Sequence, residues 1–455
     1  MSHLILLTCL AATFWFVRRD IATRPGVSSA IWIPTLWVGI LASRPISLWL
    51  GLGGGNTLEG SPLDRLFFFG MIVAAAIVLA RRGFTWGPFL ARNWPLVLFY
   101  GYLLLTVAWA NSPLASSKRW LKEIGNVLVV IVILTERDPL QAIRAVFVRC
   151  AYVLIPLSFV YIRYFPDLGR RYSTHSGQLE ITGVTTQKNS LGAMILVCAL
   201  VFIWDWLERS RPGGLKLPRL DRYVSFVILG FALYLLYQSD SKTSMLCLAV
   251  AAGLIAAVRL PVLHRRISAM GIFCLIGGLG FALFDWMFGL SEAVVSNLGR
   301  DMTFTGRTDV WRELLAVNTD PIFGAGFMSF WDDIYYQSKL PDWVAFSAHN
   351  GYLEIYLAGG IVGVVVLALM LLGSGARINR ALASGEPYAL VRFAVFVVAL
   401  IANFSESNFA CMTPIGFLFL IAAIGQAQPE TVPAFAEAPT SYPTSYYDQA
   451  TPYRS

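Results

Sequence analysis

Apolar runs recur along the whole chain, centred near residues 10, 40, 72, 102, 127, 155, 198, 230, 250, 278, 361, 395 and 417. Wound as a helix, each could cross a hydrocarbon core about 30 Å thick. The polar connections between them are short, with two exceptions: one from about Pro166 to Gln187 and one from about Leu290 to Ala348. The pattern predicts an all-α polytopic membrane protein of about thirteen transmembrane helices. Eleven to thirteen is the range, because the first and eighth runs are short. A large helical loop over 290–349 then lies on one face. After Gln426 the sequence turns to Pro, Ala, Ser, Thr and Tyr with no periodicity. This predicts one membrane domain over 1–425 and a disordered tail over 426–455.

Composition agrees with the pattern and narrows it. Of 455 residues, 56% are hydrophobic and 14% charged, against roughly a quarter charged in soluble domains. No separate soluble domain is expected. The first run, Leu4 to Val17, precedes Arg18, Arg19 and Asp20. A cleaved signal has its charges before the apolar run, so this one reads as a retained span. The six cysteines lie in apolar runs without metal-ligand spacing and are expected to act as small packing residues. Neither a cofactor nor a nucleic-acid partner is expected.

Basic residues orient the spans. They follow the first (Arg18, Arg19, Arg24), third (Arg81, Arg82), fifth (Arg137, Arg144), seventh (Arg209, Arg211, Lys216, Arg219, Arg222), ninth (Arg259, Arg265, Arg266) and eleventh (Arg377, Arg380). Every second connection is therefore basic, which assigns those connections to the cytoplasm. The amino terminus and both long connections fall outside, and the tail falls inside.

The outer face nevertheless carries cations that this rule disfavours: Lys118, Arg119, Lys122, Arg163, Arg170, Arg171, Lys188, Lys242, Arg300, Arg307 and Arg312. Lys118 to Lys122 suit the snorkelling of long side chains to headgroups. The others sit beside glycines, amides and hydroxyls, and would suit an anionic lipid substrate such as a polyprenyl diphosphate. In the stretch Phe304 to Leu315, residues Val310, Trp311, Leu314 and Leu315 fall at helical spacing. Thr308 is a candidate N-cap, Asp309 suits the first turn, and Pro321 lies past the end. Arg307 would then stand where the helix dipole disfavours a cation. Two readings stand: an anion site made of a guanidinium and helix N–H groups, or a surface arginine paired with a carboxylate. Lys188, in Thr185-Thr186-Gln187-Lys188-Asn189-Ser190, opens the seventh span in the same way. It is either part of that anion site or an interfacial lysine among capping neighbours.

Among four histidines, His349 stands out because Ser347-Ala348-His349-Asn350-Gly351-Tyr352 leads from the long outer loop into the eleventh span, with Asn350 a candidate N-cap. A helix amino terminus and partial burial both disfavour imidazolium, leaving a neutral ring able to take a proton as a general base. A structural hydrogen-bonding role is the alternative. Trp331, Tyr335, Tyr336, Trp343 and Phe346 share the loop with Asp332 and Asp333. Such residues bind sugars, and aromatic residues also form interfacial belts. No histidine or further acid stands at ligand spacing from Asp332-Asp333, so no metal is expected. Glu406, in the short turn Asn403-Phe404-Ser405-Glu406-Ser407-Asn408 between two spans, is a functional candidate because an acid so near the membrane is costly to hold there.

Together these residues resemble the O-antigen ligase/polymerase superfamily. The resemblance is carried by Gly306-Arg307-Thr308 with Trp311, Pro321-Ile322-Phe323-Gly324-Ala325-Gly326-Phe327, His349-Asn350 and Gly359-Gly360-Ile361-Val362-Gly363. Lys188-Asn189-Ser190-Leu191-Gly192 with Ser241-Lys242-Thr243 looks more like its exopolysaccharide, succinoglycan-type polymerase branch. The core of the signature covers residues 180 to 370. The resemblance implies a GT-C-like helical enzyme of the bacterial inner membrane with its active site on the periplasmic face. Such an enzyme transfers glycan from undecaprenyl diphosphate to an acceptor hydroxyl with inversion and without metal. Carried over, Arg307 binds the diphosphate and His349 acts as base or acceptor-positioning group, with Glu406 a third catalytic candidate. Lys188, Asn189, Arg170, Arg171, Lys242, Trp311 and Trp331 are candidates for substrate binding. The ligases pair their loop arginine with a second arginine; here Lys188 stands in that place, which tilts the reading to polymerase. Implied partners are the lipid-linked glycan, membrane lipid, a chain-length regulator and export proteins. A ligase acting on lipid A core or protein is the alternative within this chemistry. A flippase for lipid-linked saccharide is the alternative outside it, although its cations should line a central cavity.

Overall fold

The computed structural model describes residues 1–425 except 25, 54–59, 174–176, 210–218, 258–268, 270, 272–306, 342, 345, 346 and 387. The apolar run centred at 278, residues 290–306 of the longer connection with the candidate Arg300, Phe346, His175, His264 and the tail over 426–455 lie outside the described residues. The longer helices are α1 (Ser2–Thr23), α2 (Trp32–Leu41), α3 (Pro62–Arg81), α4 (Trp94–Thr106), α5 (Pro113–Leu134), α6 (Pro139–Tyr164), α7 (Lys188–Arg209), α8 (Arg219–Ser239), α9 (Lys242–Ala257), α10 (Arg307–Ala316), α11 (Gly351–Ala383), α12 (Ala389–Ala402) and α13 (Pro414–Ala423). Every other apolar run centre named above falls on one of them.

The helix starts are written in local chemistry. Proline occupies the first turn of α3, α4, α5, α6 and α13, where its missing N–H is no loss. Ser61 and Asp64 form a reciprocal capping box at α3. Asp138 caps α6 and Thr413 caps α13. Among the described residues, Pro62–Arg81, Pro139–Tyr164, Lys188–Leu207, Leu220–Ser239 and Gly351–Ala383 are long and apolar enough to cross a membrane. A sixth crossing results if Trp86–Arg92 and Trp94–Trp109, bent by 93°, form one broken span. The protein is thus a helical membrane protein.

The helices pack as a bundle in which α4 lies against α11, α1 and α2 against α6, α7 against α8 and α9, and α12 against α9 and α13. Cys150, Cys198 and Cys247 are buried in its core, as packing residues should be. Arg19 pairs with Asp221, Arg82 with Glu136, and Arg144 with Asp205. Asp205 stands near the end of α7, whose start carries Asn189.

Helix α11 is broken at Gly360, whose φ of 59° and ψ of −157° are not helical. A break inside an apolar helix frees backbone groups that lipid cannot satisfy, so protein must. The segment Pro321–Gly326 does this. Ala325 N–H and Gly326 N–H donate to the carbonyls of Leu357 and Ala358, at 2.8 and 3.0 Å. Ile361 N–H and Val362 N–H donate to the carbonyls of Pro321 and Ile322, at 2.9 and 3.3 Å. Glycine is required on both sides of this seam. A Cβ on Gly360 would lie 2.2 Å from Ile322 O, and one on Gly324 would lie 2.6 Å from Gly359 N. Tyr102 of α4 closes the seam by donating to Gly359 O at 2.6 Å. Two motifs far apart in sequence are therefore one structural unit.

Unforeseen by the helical pattern, the connection from Pro166 to Gln187 contains a two-stranded antiparallel hairpin, β1 (Arg170–Tyr172) and β2 (Leu179–Ile181), with Arg171 opposite Glu180. The buried guanidinium of Arg44 fixes the return of this connection into α7. It donates to the carbonyls of Leu168, Gly183 and Val184 at 3.0 Å each and to that of Thr185 at 3.3 Å.

Gly360→Ala should lower the thermal unfolding temperature of the detergent-solubilised protein, since a left-handed alanine alone costs about 1–3 kcal/mol before its overlap with Ile322. An unchanged melting curve would mean that the seam contributes little.

Candidate functional site

The residues of the site stand at one end of four helices, α7, α10, α11 and α12. Asn350 caps α11, its Oδ1 accepting from Tyr352 N–H at 2.9 Å and Leu353 N–H at 3.1 Å. The cap fixes where the chain enters the helix, and the preceding residue, His349, takes the left-handed conformation with φ 48°. For a side chain larger than glycine's this is strained by about 1–3 kcal/mol and must be held by neighbours. Gly351 N–H donates to Asn403 O at 2.8 Å, and any Cβ on Gly351 would lie 1.9 Å from Asn403 Oδ1. That Oδ1 also accepts from the N–H groups of Asn408 and Phe409. Asn403 thereby shapes the turn after α12 and binds it to the start of α11.

Glu406 occupies that turn and becomes the hub. Its Oε1 accepts from Arg307 Nη2 at 2.8 Å and from Asn189 Nδ2 at 2.8 Å. Its Oε2 lies 3.6 Å from His349 Nδ1. Burial alone would raise the carboxyl pKa, but the contact with His349 and the charge of Arg307 outweigh it, so the pKa lies below the usual carboxylate value. A carboxylate facing Nδ1 favours the tautomer with hydrogen on that nitrogen, which leaves Nε2 free to take a proton. The helix terminus before which His349 stands is legible in the sequence, whereas the carboxylate beside it comes from tertiary structure.

Arg307 is the first residue of α10, which therefore starts two residues earlier than a Thr308 cap would give, with Asp309 in the first turn as expected. Arg307 is paired with a carboxylate, as the second of its two readings had it, but with one 99 residues away rather than a neighbour. Trp311 Nε1 donates to Ala348 O at 2.8 Å, tying α10 to the His349 segment.

The remaining candidates divide. Asn189 joins the hub. Lys188 pairs instead with Glu180 of the hairpin at 3.2 Å. Arg170 donates from Nε to Ile162 O at 3.0 Å, and Arg171 stands opposite Glu180 on the hairpin. Arg170 and Arg171 belong to strand β1 and Lys188 pairs with Glu180 of β2, whereas the partners of Glu406 are Arg307, Asn189 and His349. Lys242 pairs with Asp240 at 2.7 Å, well exposed, while its neighbour Thr243 meets Ser405 Oγ at 2.7 Å beside the hub. Gly192 permits that approach, since a Cβ there would lie 2.4 Å from Ser241 Cβ. Trp331 is no open platform for a sugar ring: it is 5% exposed and its indole N–H donates to Glu354 Oε2 at 3.0 Å. It walls a cavity of about 330 Å³ that reaches Ser347, Glu354 and Ser407, close behind His349 and Glu406. Arg119, at the same cavity, pairs with Asp332 and donates to Met328 O, and Asp333 caps the turn Ile334–Gln337.

Sequence reasoning missed Arg44 and Glu354. For Arg44 a signal was present, an arginine just past the end of the second apolar run. Glu354 carried none beyond being an acid in a first helical turn.

Residues 224–368 match the family model described as O-Antigen ligase. The resemblance read from the motifs is to this family. The chain is also 22% identical over 397 residues to "Exopolysaccharide production protein ExoQ" of Rhizobium meliloti (strain 1021), covering 82% of this chain and 85% of that protein. The O-antigen ligase stretch contains Arg307, the 321–326 seam, His349 and Gly360, whereas Asn189 and Glu406 lie outside it.

A depressed carboxyl pKa contributes stability that is complete above the unfolded value, about 4.3, and lost as pH falls through the lower folded value. The difference in melting temperature between wild type and Glu406→Gln should therefore shrink as pH falls below about 4.3. A difference that grows as pH falls below that value would contradict the assigned direction.

Proposed function

We propose that this protein polymerises undecaprenyl-diphosphate-linked oligosaccharide repeats into an exopolysaccharide or O-antigen, at the periplasmic face of a bacterial inner membrane. The observation that carries the reading is the meeting of Arg307 and His349 on the one carboxylate of Glu406. Arg307 and the first N–H groups of α10 receive the diphosphate and stabilise the charge it gains on leaving. His349 Nε2 takes the proton of the acceptor hydroxyl as its oxygen attacks the anomeric carbon. Attack opposite the diphosphate forms the new glycosidic bond as the old glycosyl–phosphate bond breaks, which inverts the anomeric centre. The bonding electrons leave with polyprenyl diphosphate. Glu406 holds both groups in register, and no metal takes part. Asn189 joins by fixing the same carboxylate, and Lys188, Arg170, Arg171, Lys242, Trp311 and Trp331 border the glycan's path.

This chemistry fits a GT-C-like membrane enzyme. The relative's name speaks for exopolysaccharide production, and the lysine at 188 departs from the two-arginine pattern of ligases; both favour a polymerase. Transfer of finished glycan to lipid A core or protein is the second reading, favoured by the family model's own description. Gathering of the chemistry at one end of the helices speaks against a flippase. A chain-length regulator and export proteins would be partners of the polymerase.

Arg307→Ala should reduce polymer formation by about 100-fold or more while membrane insertion persists. Gel analysis of glycan from a strain whose own polymerase gene is replaced checks both, and wild-type polymer in that variant would remove the diphosphate assignment. Transfer should also continue undiminished in EDTA, and loss restored by a divalent ion would overturn the metal-free mechanism.

A further inference from the structure

We propose that Glu354 is a positioning residue that holds His349 in its working conformation; the proposal rests on the function given above. Glu354 belongs to the first turn of α11, where the helix dipole favours an acid. Its carboxylate reaches back over the helix start. Oε1 accepts from Ala348 N–H at 2.7 Å and from Ser347 Oγ at 3.4 Å. Oε2 accepts from the Trp331 indole at 3.0 Å. Both oxygens are engaged by protein groups, so this acid is framework rather than a ligand for sugar hydroxyls.

Those bonds act on the residue that needs support. His349 is held at φ 48°, a conformation that its own backbone disfavours. On one side of it Asn350 is locked by its cap, and Gly351 is bonded to Asn403. On the other side, Ala348 has its N–H on Glu354 and its C=O on Trp311. His349 N–H completes the set by donating to Ser347 Oγ at 3.1 Å, the hydroxyl that Glu354 also engages. Release of Ala348 N–H would let this peptide turn and relax the histidine to negative φ, carrying the imidazole away from Glu406. Because the same carboxylate holds Trp331, the wall of the 330 Å³ cavity is tied to the position of His349.

The test reads the histidine directly. Full-length protein in detergent is treated with diethyl pyrocarbonate, and carbethoxylation of the His349 peptide is followed by mass spectrometry in wild type, Glu354→Ala, Glu354→Gln and Trp331→Phe. Glu354→Ala should change the rate at His349 by about threefold or more and lower kcat for transfer by about 100-fold, with KM for the lipid-linked donor little altered. In Glu354→Gln the side-chain amide keeps one carbonyl that can accept from Ala348 N–H, so this variant should return most of both losses. Trp331→Phe, which removes the indole donor and some ring volume but leaves Ala348 N–H on Glu354 Oε1, should leave the His349 rate near wild type. If Glu354→Ala does not fold, Ser347→Ala, which cuts the bridge between Glu354 and His349 N–H, should change the His349 rate in its place. An unchanged rate in whichever of these two variants folds would overturn the positioning role. A changed rate with undiminished transfer would keep the positioning role and remove His349 from the reaction.

Discussion

One carboxylate organises the candidate site. Glu406 lies in a turn of a few residues between two apolar helices, where an unpartnered acid would be costly. It is tolerated because Arg307, Asn189 and His349 all face it. The dependence runs both ways. Without Glu406, the guanidinium of Arg307 would be left at the start of a helix, the end that repels a cation. The imidazole of His349 would lose what selects its tautomer. Three helices and a turn are thus brought to a common point by one charge.

That point could not be fixed on its own by a loop, and the seam between Pro321–Gly326 and the break at Gly360 supplies the rigidity. Freed carbonyls and N–H groups of α11 find partners in the loop segment, so the irregular backbone is satisfied by protein at membrane depth. The loop that carries α10 is consequently bonded to the helix that carries His349. On the other side, Arg44 binds the carbonyls leading into α7, which carries Asn189. Each element of the site is anchored by backbone hydrogen bonds a short distance from the side chain it presents.

The candidate cations divide in space. Arg307 faces the hub, while Lys188 pairs with Glu180 of the hairpin, Arg170 and Arg171 belong to the hairpin's first strand, and Lys242 faces Asp240. Residues similar in kind and in their distance from the apolar runs therefore have different duties. The division follows from the hairpin, whose Glu180 offers Lys188 a nearby carboxylate.

Much of the architecture is legible in the sequence alone. Apolar runs, first-turn prolines and capping residues specify helices that must bury their own backbone polar groups in lipid, and these are local properties. So is the cap at Asn350, which is why the placement of His349 just before a helix could be read directly. The glycines at 324, 359 and 360 were legible as a motif but not as a contact, because only packing brings a loop and a helix break within reach of each other. Tertiary structure alone decided that Glu406, Asn189, Arg307 and His349 meet, that the nearby lysine does not, and that Glu354 stands behind the histidine. Pairing between distant side chains depends on which helices lie side by side, and no periodicity in a chain encodes that neighbourhood.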